Sequence, residues 1–62
     1  MTIQVTGFFL ERFLNLTAKR GLPTWDVRRI SETEMLLTTT PAAFRRMRDP
    51  AFRAGVRIRV HR

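Results

Sequence analysis

Cysteine is absent from the 62 residues. Disulfides and thiolate metal sites are therefore excluded. Histidine occurs once, as His61, beside the last residue. One histidine and scattered carboxylates make a poor ligand set, so no metal site is expected, and no cofactor either. No run of eighteen apolar residues is present, so no segment has the pattern of a membrane span. Met1-Thr2-Ile3 leads straight into an alternating pattern rather than the charged start and apolar run of a signal peptide. The segment therefore reads as cytosolic, or as the soluble part of something larger. Serine also occurs once, as Ser31, in a polar stretch with no base beside it. Glu32 and Glu34 share that stretch, where solubility explains them better than acid–base chemistry. The three glycines are scattered and form no phosphate cradle. No catalytic constellation emerges, and the chain reads as a non-enzyme.

Positive charge is abundant. Twelve basic side chains face five acidic ones, for a net charge of +7. Seven of the basic residues are arginines after position 40, against Asp49 alone. That balance suits an anionic partner, whether nucleic acid, lipid headgroups or an acidic protein, and equally a plain solvated surface. A chain of this length buries little surface and leans on tight packing or on a neighbour.

Periodicity supplies the elements. Residues 2–6 alternate as a strand, with Ile3 and Val5 inward. Residues 8–20 carry a helical apolar face that includes Leu10, Phe13 and Leu14, and Gly21 and Pro23 stop it. Residues 24–30 alternate again. Trp25 and Val27 fall on the helix-facing side, with Asp26 and Arg28 opposite and Asp26 paired to a neighbouring arginine. Residues 31–34 form a hairpin connection to a strand over 35–39, where Met35 and Leu37 share a face. Thr40-Pro41 is a helix start. Ala43, Phe44, Met47, Ala51 and Ala54 form the stripe of that helix. At Pro50 it either kinks or gives way to a second short helix capped by Asp49. Phe8 and Phe52 lie off both stripes. After Gly55, residues 56–61 form a last strand with Val56, Ile58 and Val60 inward.

The order is β-α-β-β-α-β over a single α+β domain, residues 1–62. It predicts a ferredoxin-like sandwich: a four-stranded antiparallel sheet with both helices on one face. The predicted core is Ile3, Val5, Leu10, Phe13, Leu14, Trp25, Val27, Leu37, Phe44, Met47, Ile58 and Val60. The uncovered sheet face then offers Gln4, Arg28, Leu36, Thr38, Arg57, Arg59 and His61. Gln4, Arg28, Arg57 and Arg59 form the candidate docking surface. With Trp25 turned inward that face has no stacking platform, which favours a protein partner over base readout.

One stretch adds a resemblance. Val5-Thr6-Gly7, then "ERFLNLTAKRGLPTWDVRR" (Glu11–Arg29), resembles the YqfD family of stage IV sporulation proteins. Phe44-Arg45-Arg46-Met47-Arg48-Asp49-Pro50 and Gly55-Val56-Arg57-Ile58-Arg59-Val60 agree in outline, with Asp49 intervening before the proline. The resemblance covers nearly the whole chain. It implies the soluble N-terminal domain of a longer membrane protein from endospore-forming bacteria, lying on the cytoplasmic side. It supplies no catalytic residues to carry over. Arginines flanking a membrane segment mark the cytoplasmic side, which accounts for the basic C-terminal third. The resulting expectation is a non-enzymatic interaction or scaffolding domain whose partner is the remainder of the same protein or another sporulation protein. The alternative is a free-standing basic module for nucleic acid or anionic lipid.

Overall fold

A computed structural model describes residues 1–61. The elements are β1 (Thr2–Thr6), α1 (Leu10–Lys19), β2 (Trp25–Arg29), β3 (Glu34–Thr38), α2 (Pro41–Arg46), α3 (Arg48–Ala54) and β4 (Arg57–Val60). The strands form one antiparallel sheet in the order β2-β3-β1-β4. This is the expected ferredoxin-like α+β arrangement, with β1 and β3 central and β2 and β4 at the rims.

The two central strands alternate as the sequence does. Ile3, Val5, Met35 and Leu37 are fully buried, while their neighbours are half-buried on the other face. Leu10 and Phe13 of α1, Met47, and the small residues Ala43, Ala51 and Ala54 close over them. Leu14, Phe44 and Ile58 pack on the margin of this core. Thr17 and Thr39 are also buried, and both hydroxyls are satisfied. Thr17 Oγ1 donates to the Leu14 carbonyl at 2.8 Å, and Thr39 Oγ1 to the Pro23 carbonyl at 2.6 Å. Hydroxyls bonded this way are compatible with a dry interior.

Helices α1 and α3 end by the same device. Gly21 and Gly55 adopt φ of 67° and 70°. The next residue reaches back five positions: Leu22 N–H to the Thr17 carbonyl at 2.9 Å, and Val56 N–H to the Ala51 carbonyl at 3.0 Å. This left-handed glycine stop brings an apolar residue back onto the helix, and Leu22 and Val56 are both buried. At the start of α2, Thr40 Oγ1 accepts from the Ala43 N–H at 3.1 Å, with Pro41 in the first turn.

The second helical region divides before Pro50. A proline ring collides with the carbonyl four residues back, here that of Arg46. α2 ends at Arg46, and Pro50 takes the third position of α3, where its missing N–H has no intrahelical partner to lose. Asp49 does not cap the new helix; Met47 occupies that position. Asp49 instead accepts from Arg20 of α1 and from Arg53 one turn on, at 3.0 Å for the latter.

Three core assignments are corrected. Trp25, Val27 and Val60 are about half exposed. The cause on β2 is a bulge. Trp25 pairs with Thr38 and Arg28 with Leu36, so Asp26 and Val27 together oppose Leu37. Asp26 takes the left-handed conformation, φ 53°, that absorbs the extra residue. Trp25 therefore takes the register position of Thr38, on the uncovered face. Among the described residues Asp26 makes no ion pair, contrary to expectation. Val60 keeps its inward register opposite Ile3, but it lies near the end of a rim strand with little above it.

Candidate functional site

The uncovered sheet face is built by register. Arg28, Leu36, Gln4 and Arg59 stand in one row across all four strands. Thr6 aligns with Glu34 on one side and Arg57 on the other. Trp25, Thr38 and Thr2 form a third row. The four candidate residues Gln4, Arg28, Arg57 and Arg59 thus share one face. They are not a cluster: Arg28 and Arg59 are three strand spacings apart, roughly 14 Å. Gln4 lies between them and donates its Nε2 to Glu34 at 2.8 Å, which ties both groups to the middle of the sheet.

The face therefore has basic rims and a polar centre holding one carboxylate. A depression of about 250 Å³ opens at the β2 side, lined by Thr2, Asp26, Arg28, Leu36, Thr38 and His61. The bulge turns Asp26 into it. Trp25, 46 % exposed, stands in the row beside Arg28. This is the aromatic that simple alternation hid in the core. No group of three metal-ligating side chains occurs among the described residues.

A second basic region was not anticipated. Arg20, Leu22, Arg45, Arg46, Arg48 and Asp49 line a depression on the helix side. The Arg20–Asp49 contact joins the end of α1 to the start of α3. The Arg20 guanidinium holds the Asp49 carboxyl below the usual carboxylate range; partial desolvation opposes this and Arg53 adds to it. In the sequence Arg45 and Arg46 lie opposite the apolar stripe of the second helix, and Arg20 lies in the last turn of the first. The closely spaced Arg45, Arg46 and Arg48 were the available sign, and the break at Met47 makes them a corner. No helix in the described residues is long and apolar enough to cross a membrane.

Fold and surface together define a small basic α+β domain with an uncovered sheet face. The chain belongs to the YqfD family: the family model described as "Putative stage IV sporulation protein YqfD" matches residues 1–62. The expected resemblance is thus established, and with it a connection to sporulation. No curated protein matches the chain, and no solved structure does.

Proposed function

We propose that this domain is a non-catalytic interaction module that docks an acidic protein segment on its uncovered sheet face. The observation that carries the reading is the cross-strand row with Arg28 and Arg59 at its ends and Glu34 bonded to Gln4 in the middle. A phosphate chain laid across the sheet meets Glu34 at its centre. A protein segment places carboxylates at the rims and neutral groups between them, and such charge matching sets specificity and register. We place the domain on the cytoplasmic side of a membrane, as part of a longer protein of the family; its excess of arginine supports that orientation.

Trp25 supports a second reading. An exposed indole beside Arg28 is a platform on which a single-stranded base stacks. A titration with mixed-sequence RNA and single-stranded DNA at about 0.15 M salt separates the two, because screening there removes most loose attraction. Docking of protein predicts no submicromolar nucleic-acid binding. Submicromolar binding that disappears in the Arg28→Ala/Arg57→Ala/Arg59→Ala variant overturns it in favour of the second reading.

A further inference from the structure

The two rims of the sheet are unlike. β2 is interrupted by the bulge at Asp26 and Val27, whereas β4 runs regularly along β1 through Ile3↔Val60, Gln4↔Arg59, Val5↔Ile58 and Thr6↔Arg57. His61 N–H donates to the Thr2 carbonyl at 2.9 Å. Antiparallel strands alternate residues bonded to the partner with residues whose backbone groups point away. Arg57, Arg59 and His61 therefore bond β1, and the N–H and C=O groups of Ile58 and Val60 point out from the sheet. Above them the core is left open. Ile58 is half-buried and Val60 54 % exposed. Phe44, Arg45, Arg48 and Ile58 line a groove of about 430 Å³ beside β4. Phe52, one helical turn beyond Arg48, is 85 % exposed.

We propose that β4 is a strand-addition edge, taking an extended partner segment in which acidic residues alternate with apolar ones. An added strand bonds the outward groups of Ile58 and Val60 and extends the sheet to a fifth strand. Its apolar side chains lie beside Ile58 and Val60, over the groove at Phe44. Its acidic side chains fall opposite Arg57 and Arg59 on the other face, where opposite charges across a ladder attract. A second copy of this chain fits poorly: antiparallel self-pairing centred on Ile58 sets Arg57 opposite Arg59, pairing centred on Arg59 sets Arg59 opposite its own copy, and like charges directly opposed repel. The proposal deepens the docking reading, since Arg57 and Arg59 serve both, but it locates the partner beside the sheet as well as on its face.

The probe is a labelled peptide of alternating Glu and Val, with a peptide of the same composition in blocks as control. Saturable binding of the alternating peptide is expected at about 0.15 M salt, with new amide-exchange protection at Ile58 and Val60. Val60→Pro removes an outward N–H that β1 does not use, a substitution edge strands tolerate; it is expected to weaken binding about tenfold or more without changing the far-UV spectrum. Arg57→Glu/Arg59→Glu is expected to reverse the preference to an alternating Lys-Val peptide, which keeps the test decisive if the proline variant fails to fold. Absence of saturable binding up to about 1 mM peptide, protection appearing at β2, or binding indifferent to Val60→Pro in a folded variant overturns the proposal. Those results leave the nucleic-acid titration untouched, and Arg28→Glu, which lies on the far rim, separates docking on the face from addition at β4.

Discussion

Asp26 is the only non-glycine residue among those described with a positive φ, and its conformation decides where Trp25 sits. Had the strand alternated without interruption, the indole would have been the largest side chain of the core. Phe13 holds that place instead, fully buried beneath the helices. The two aromatics are therefore expected to behave differently when truncated. Phe13→Ala leaves a cavity and is expected to cost about 3–5 kcal/mol, enough to unfold much of so small a domain. Trp25→Ala forfeits only the burial of half an indole and is expected to cost clearly less. Chemical denaturation of the two variants checks this, and a Trp25→Ala loss equal to that of Phe13→Ala contradicts the bulged register. The tryptophan's own fluorescence is lost in one variant, so the comparison uses far-UV circular dichroism.

The elements themselves were legible to within a few residues, because their signals are local. Thr40-Pro41, Gly21-Leu22-Pro23 and Gly55-Val56 mark ends through groups that act on their immediate neighbours, and the structure uses each as read. Two features were not legible. The bulge depends on pairing between β2 and β3, and a two-residue alternation assumes that no residue is inserted. The break at Met47 follows from a clash that Pro50 makes four residues upstream, so the proline marks the consequence and not the position. The candidate arginines at 28, 57 and 59 were placed on the correct face because Arg28 lies beyond the bulge and β4 has none. The helix-side basic corner was missed because Arg20 and Arg48 meet only through tertiary packing.

At the same scale, Asp49 links α1 to α3 through Arg20, and α3 to itself through Arg53. Its carboxyl is held below the ordinary range in the folded protein, so the stabilisation is fully present above the unfolded-state value and fades as pH falls through the lowered folded one. Asp49→Asn is therefore expected to be less stable than the parent at neutral pH, modestly so because the pair is exposed. The difference is expected to shrink on acidification below the usual carboxylate range. Thermal melts of both proteins across that interval check the sign. A gap that widens toward acid contradicts the assignment.

Considered whole, the molecule is dominated by uncompensated positive charge. The three helices carry six basic side chains, with Arg20 at the end of α1 a seventh, against Glu11 and Asp49. The described residues hold three ion pairs, all between side chains at least 40 % exposed. Screening weakens those pairs, but it weakens the more numerous repulsions further. Raising sodium chloride from about 10 mM to about 0.3 M is therefore expected to raise the thermal midpoint, with the Debye length falling from roughly 30 Å to under 10 Å. A fall in the midpoint would show that the ion pairs outweigh the self-repulsion.

The interrupted backbone at Asp26 also sets a limit on assembly. A sheet with two regular rims is divalent: each bound strand exposes another rim, and growth can proceed at both ends. Here one rim is irregular and the other carries Arg57 and Arg59, whose charges disfavour pairing with a copy of itself. Strand addition of the kind proposed for β4 would then extend the sheet on that side alone. An arginine-rich strand next to an open apolar groove would otherwise be a hazard in a crowded compartment. The bulge at Asp26 and Val27 confines any such growth to one direction across the sheet.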